Sequence, residues 1–593
     1  MLRLLVPVVL LFASIVAVVA SDHPMPPADY VISQANDVFT LDPQRMSYNQ
    51  DLRVGYALYE PLARWDNETF ETHPAAASAW TLSEDRRTWT FTIREEAKWS
   101  NGDPVTANDF VYAWRRAITP DSAADYTQLF WVIEGAEDFF AWRSDALEAY
   151  SKKPGHEKSV AAARHLWDRS LERFDETVGV RALGAKTLEV RLVRPVPYFL
   201  DMCAFGPFSP VHPPTLEAYV SFDAESGRLQ QRHDWTKPPR LISNGPLMLK
   251  SWRFKRDLRR ERNPHYWNPE MIRSDSVTIQ IISNPNTALL AYQTGAIDIV
   301  EEILVDYLPD LIAEAKAGER DDVYKVPAFG TYFWSFNCTP TLTNGRANPF
   351  YDARVRRAFA MALNKSDITE KVRRRGEPVA NVLIPPGSMV GFDEDREIAG
   401  VTLDPAGARA LLAEAGWRDR DGDGALENGA GETFPVVEML CSTGSYHEEV
   451  ALAMGAMWER ELGVQTRIVA KESKIYKDDL KRQDYMVARG GWYGDYGDPT
   501  TFLNIHKTGD GNNDRGYSDP HFDRLLADAE TAPDDESRMR ILEEAERYTM
   551  EETLPVLPIF GYVHYYMFDP EEIQGVSDHP RLTQYYWQIE KTR

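Results

Sequence analysis

Cysteine is nearly absent from this chain of 593 residues: there are three, Cys203, Cys338 and Cys441. An odd, sparse set excludes a disulfide framework, leaves at most one bridge open, and has no zinc-site spacing. The three are expected in the core. Positive charge is also in deficit, with 66 Lys and Arg against 91 Asp and Glu and a formal net charge of −25. Nucleic acid is thereby excluded as a partner, because phosphate binding needs a basic face. There is no internal repeat and no low-complexity tract. Catalytic signatures are missing too: no GxSxG, no HExxH, and no glycine-rich loop followed by a phosphate-binding lysine. Close carboxylates such as Asp495 and Asp498 are the pattern a glycosidase would need, but among 91 acidic residues such a pair carries little weight. We therefore expect no enzyme, no cofactor and no resident metal.

What is present is a globular composition, 43% apolar with 16 Trp and 27 Tyr, in a chain too long for one hydrophobic core. Two or three domains are expected. The only long apolar run is at the N-terminus, from Leu4 to Val19 after Arg3, with small residues at Val18 and Ala20. It reads as a signal peptide over residues 1–20, cleaved after Ala20; an uncleaved anchor is the alternative, although the run is short for a span.

Along the chain, Ala28 to Leu41 alternates as a first strand, and Asp51 to Leu62 has helical spacing. Trp89 to Ile93 alternates as a strand. Thr106 to Ala117 is an amphipathic helix, with Thr106 as N-cap, Asp109 three residues on, and Phe110, Ala113, Trp114 and Ala117 on one face. A charged tract from Asp145 to Asp175 reads as a solvated helical excursion. Strand-like segments resume from Val323 to Phe336, and His447 to Leu462 is helical. The DRDGDG segment from Asp419 to Gly424 has the alternating oxygens of a calcium loop, but its twelfth position is Ala430 and not a bidentate Glu, so it reads as an acidic turn.

The segment richest in chemistry is MVARGGWYGDYGDPTTFL, Met486 to Leu503. Glycines and Pro499 make it a poor helix, so a short strand over Met486 to Ala488 is expected to lead into a rigid loop. Arg489, Trp492, Tyr493, Asp495, Tyr496 and Asp498 give that loop a cation, two carboxylates and three rings. Such a set suits a small zwitterion, with a carboxylate for its amine and rings to exclude water. Composition alone equally allows a surface turn with satisfied charges.

The order of residues here resembles the ligand loop of the family 5 extracellular solute-binding proteins, the peptide receptors of ABC importers. Further segments are similar to that family: LDP followed by YEPL near residue 60; SEDRRTWTFTIREEAKWSNGDPVTANDFVYAWRR, nearly residue for residue; Ser243-Asn244-Gly245-Pro246; and AYQTGAIDI from Ala291. The resemblance covers Tyr30 to the C-terminus apart from the charged tract. It implies an α/β, two-lobed, periplasmic-binding-protein-like fold (type II, cluster C) with three domains and hinge closure. Domain I would comprise residues 29–59, 197–301 and 559–593, domain II residues 60–196 with the insertion near 145–175, and domain III residues 302–558.

The resemblance also implies a function: capture of short peptides between the lobes and delivery to the permease and ATPase subunits of an ABC transporter, by a monomer outside the cytoplasm. No Cys follows the apolar run, so the lipid anchor of many such receptors is not expected. By residue matching, Asp495 would take the peptide's α-ammonium, and Arg489 would balance Asp495 or meet a ligand carboxylate. Trp492 and Tyr493 would wall the cleft, His447 would contact a carboxylate or water, and Asn244 and Gly245 would offer backbone contacts. One departure is Glu472 to Gln483, with Ser473 and Leu480 where tri- and tetrapeptide binders place an aromatic and a basic group; Lys477, Lys481 or Arg482 would have to compensate. Other members bind nickel, haem or sugars, and a signalling receptor or a cell-envelope enzyme are the alternatives of a different class.

Overall fold

A computed structural model of the chain describes residues 27–592, except 68, 70, 304, 305, 388, 390, 391, 393–397, 444, 445 and 582. The N-terminal apolar run lies outside the described residues. Among these, no helix is long and apolar enough to cross a membrane.

One ten-stranded sheet runs through the molecule. In spatial order its strands are Leu247–Arg253, Asp257–Arg262, Ser276–Ile281, Tyr30–Gln34, Ile299–Val300, Val556–Met567, Val323–Phe336, Val487–Tyr493, Val437–Ser442 and Thr466–Lys471. The two longest, Val323–Phe336 and Val556–Met567, pair antiparallel and carry the chain between two lobes. Their register shifts between Pro327 and Thr331 and again between Tyr332 and Phe333. These irregularities break the ladder midway, where the strands leave one core and enter the other. The largest buried cluster draws mainly on residues 30–279 and 566–589, and the next two on residues 329–560.

A separate antiparallel sheet of Ala77–Leu82, Thr88–Ile93, Thr187–Arg191 and Val180–Gly184 flanks the first lobe. The helix Ala107–Ile118 packs on it, held by the expected capping box between Thr106 and Asp109. Phe110, Ala113, Trp114 and Ala117 are all buried, as their spacing requires.

Several local expectations are corrected. The first strand is only Tyr30–Gln34, and the following helix is Asn49–Leu58. The charged tract is not a solvated excursion. It is a helical hairpin, Ala136–Ser151 and Val160–Thr177, with its own small core of Leu147, Tyr150, Ala163 and Leu166. Arg143 is wholly buried in it and forks onto Asp121 at 2.9 and 2.8 Å. Charge density on the outer faces hid this inner face. All three cysteines are buried and free.

Candidate functional site

A cavity of about 450 Å³ opens between the lobes. The first lobe supplies Gln34, Asn36, Arg53 and Glu302; the second supplies Tyr493 and Gly494; and His564, on the connecting strand Val556–Met567, closes the wall. A smaller pocket of about 100 Å³ adjoins it and contains Asp495 among Trp65, Tyr126, Phe205 and Arg581.

The segment Met486 to Leu503 gets its shape from close backbone packing. The strand does not stop at Ala488 but continues through both glycines to Tyr493, pairing Arg489 with Trp334 and Tyr493 with Gly330. Glycine permits this because the neighbours leave no room for a side chain. A Cβ on Gly490 would lie 2.2 Å from the Phe333 ring, and one on Gly491 2.2 Å from the Tyr562 hydroxyl. Past the strand, Gly494 donates to the Phe329 carbonyl at 2.8 Å, and Phe329 donates to Pro580 at 2.7 Å. The loop is thus tied to both the connecting strand and the C-terminal segment. Asp498 then accepts from the Thr500 amide at 3.0 Å and takes a bidentate Arg538 at 2.6 and 2.9 Å. On the first-lobe side, Asp201 accepts the Gly497 amide at 2.8 Å, and Tyr198 stacks on Tyr496 at 4.4 Å.

Strand alternation sorts the expected residues. Arg489, Gly491 and Tyr493 share one face with Tyr562: Arg489 bonds the Tyr562 hydroxyl at 3.1 Å, and Tyr493 stacks on that ring at 4.7 Å. Trp492 lies on the opposite face and packs into the core cluster of Phe329 and Phe333, so it is not a cleft wall. Tyr493 is half exposed into the cavity.

The Asp495 carboxylate has no hydrogen-bond or ion-pair partner among the described residues; only its backbone amide is engaged, by the Thr501 hydroxyl at 2.9 Å. Burial pushes its pKa up to about 6, with no cation to oppose the shift. Burial, and then the Asp495 charge, also raise the Tyr126 hydroxyl. Arg489 therefore does not balance Asp495. Its guanidinium lies 5.2 Å over the Tyr332 ring and forms no ion pair among the described residues. His447, at the start of the helix His447–Leu462, stacks on Tyr332 beside it. Burial, Arg489 and Arg373 lower its pKa to about 3, so it is neutral at pH 7.

Asn244 and Gly245 are away from the cavity. Asn244 exchanges two hydrogen bonds with the Glu60 backbone, at 3.0 and 2.8 Å, and the Gly245 amide donates to Leu58 at 2.8 Å. They clamp the end of the helix Asn49–Leu58. A Cβ on Gly245 would lie 2.5 Å from the Leu58 carbonyl carbon, so Gly245→Ala is expected to destabilise the first lobe by about 1–3 kcal/mol. Urea unfolding should show that loss, with ligand affinity of the folded fraction unchanged.

A family model for bacterial extracellular solute-binding proteins, family 5, matches residues 71–514. The chain belongs to that family. Among relatives of this family 5 protein is the periplasmic oligopeptide-binding protein OppA of Salmonella typhimurium, 30% identical over 546 residues, 91% of this chain and 88% of that one. The fold matches MppA, a periplasmic murein tripeptide binding protein, in its unliganded open form, with TM-score 0.74, 27% identity and coverage of 95% and 97%. It also matches Haemophilus influenzae OppA in complex with RPPGFSPFR, with TM-score 0.66, 28% identity and coverage of 95% and 99%.

Sequence reading missed much of this family 5 cleft. Arg53 and Glu301 pair at 3.2 Å, Arg581 forks onto Asp201 at 2.9 Å twice, and Glu302 faces the cavity. These residues come from four distant parts of the chain, and no motif links them. In the departing segment, now the helix Ser473–Lys481, Lys481 pairs with Asp514 at 2.8 Å and Arg482 with Asp479 at 2.5 Å. Neither is free to compensate, and Lys477 is exposed. The acidic turn is exposed, with Asp419, Asp421 and Asp423 oxygens within 4.8 Å of one another and several of them accepting local backbone amides.

Proposed function

We propose that this protein is an extracytoplasmic peptide receptor that closes its lobes on a short peptide and hands it to the permease and ATPase subunits of an ABC importer. The observation that carries the reading is the unpaired Asp495 carboxylate, held in a small aromatic pocket at the end of an open strand edge. Among the described residues the strand Val487–Tyr493 pairs with Val437–Ser442 only at Val487 and Ala488; the Tyr476 hydroxyl donates to the Arg489 carbonyl, and the edge beyond it has no strand partner on that side. An extended peptide can add to that edge with its ammonium on Asp495. From Arg489 to Tyr493 the strand spans about 13 Å, so the unpaired Arg489 guanidinium stands a short peptide's length away from Asp495, placed for a carboxylate. Neutral His447 beside it can donate a hydrogen bond without adding charge.

Relatives that bind oligopeptides and murein tripeptide support this reading. Closure rotates the lobes about the irregular middle of the strands Val323–Phe336 and Val556–Met567. The three domains expected from the sequence, of which domain I alone is discontinuous, are the bodies that move. The receptor acts as a monomer, without catalysis, outside the cytoplasm. A nickel chelate is disfavoured, because His506, the histidine near the loop, is wholly buried and bonded to Arg515 at 2.9 Å.

Native mass spectrometry of protein purified without refolding tests the assignment. A ladder of co-purified short peptides is expected. A metal chelate, haem or sugar in their place would overturn it.

A further inference from the structure

The cleft holds more fixed negative charge than a peptide's amine can neutralise. Glu301 is satisfied: Arg53 pairs with it at 3.2 Å and the Tyr586 hydroxyl donates to it. Arg581 is likewise engaged, forked onto Asp201 and lying 4.4 Å over the Trp65 ring. Both cations lining the cavity are therefore already paired. Glu302, the residue after Glu301, is exposed and lines the same cavity. Among the described residues it makes no hydrogen bond and no ion pair. The other cation acting on it, Arg375, donates to the Ile303 carbonyl at 3.4 Å and forms no ion pair among the described residues. Among the described residues, the cleft thus has Asp495 and Glu302 as unpaired carboxylates.

On the peptide reading above, one α-ammonium answers only Asp495. We propose that Glu302 selects ligands carrying a second cationic group, a lysine, arginine or diamino-acid side chain. Tyr493 completes the site. It is half exposed, feels the Glu302 charge, and is fixed by its stack on Tyr562 at 4.7 Å, which gives the aliphatic stem of such a side chain a flat wall and its cation a ring face. An unpaired carboxylate shut into a closed cleft opposes an uncharged side chain, because its water is lost without compensation. A preference of roughly ten- to hundredfold for the cationic side chain is the scale expected of a closed interfacial charge pair.

Calorimetric titration of the full-length receptor tests this with two matched sets of tri- and tetra-alanine peptides. In one set lysine is moved through each position; in the other uncharged norleucine replaces it. The expected result is at least tenfold tighter binding of lysine at one position, reduced to about twofold or less in Glu302→Gln, which binds the norleucine peptides more tightly than the wild type does because the stranded carboxylate is gone. Glu302→Lys should instead favour glutamate at that position. Equal binding of both sets by the wild type would overturn the proposal. So would uniform weakening of both sets in Glu302→Gln, which would make Glu302 a partner of Arg375 in the closed receptor. Failure of every peptide in both sets would remove the peptide reading itself and this inference with it.

Discussion

Asp495→Asn abolishes high-affinity peptide binding while making the empty receptor more stable. The substitution keeps the shape of the side chain and removes only the charge. In the closed cleft the ligand ammonium would then be buried against a neutral amide. Losing one partner of such a pair costs about 3–5 kcal/mol, at least two orders of magnitude in Kd. Stability moves the other way. Burial raises the Asp495 pKa from its ordinary value to about 6 in the folded, empty protein. Between the unfolded and folded values the native state holds the proton and the unfolded chain does not, so this group makes stability fall as pH rises. The penalty is complete above about pH 6, where it amounts to roughly 2–3 kcal/mol. Asp495→Asn removes it, and the variant's advantage should vanish as pH drops towards 4. Ligand affinity of the wild type should weaken about tenfold per unit below pH 6, since ammonium binding requires the ionised carboxylate. Calorimetry and urea melts across pH 4–8 read both effects. A variant that binds peptide normally, or that is less stable than wild type at pH 7.5, would show that Asp495 has another task.

Arg538→Met is expected to be the most destabilising single change in the second lobe. Arg538, on the helix Asp535–Arg547, is 6% exposed and Asp498 2%, and their fork is bidentate. Removing the guanidinium leaves a buried carboxylate with only the Thr500 amide and hydroxyl as donors. The cost is about 3–5 kcal/mol, a fall in melting temperature of roughly 10 °C. Because Asp498 anchors the turn that follows Asp495, peptide affinity should drop as well. The double variant Asp498→Asn with Arg538→Met should recover much of the stability, as no charge is then stranded. Differential scanning calorimetry of the single and double variants separates this from simple loss of packing: equal melting points for the two would show that the charge is not what matters.

Features set by neighbours in the chain were legible before any fold was known. The helix after Thr106 follows from a capping box and an apolar stripe, both contained within twelve residues, and both are present. Asp495 stood out by its order within a glycine-rich aromatic segment, and the geometry leaves it unpaired in a pocket. Trp492 was misplaced because two glycines signalled a loop. They are strand residues, glycine only because Phe333 and Tyr562 press against them, and continuing the strand turns Trp492 away from Tyr493. Asn244 and Gly245 were misread for a related reason: their partners, Leu58 and Glu60, lie nearly two hundred residues earlier.

The sequence by itself determined the family and the two-lobed α/β architecture, because both rest on local order and local spacing. Tertiary structure alone decided the electrostatics of the cleft: that Arg489 does not neutralise Asp495, that Arg53 and Arg581 are already paired, and that Glu302 has no partner among the described residues. Charge in a buried site depends on distances between groups brought together from residues 53, 201, 301, 489 and 581. Those distances are set when the long strands cross between the lobes, and no spacing along the chain encodes them.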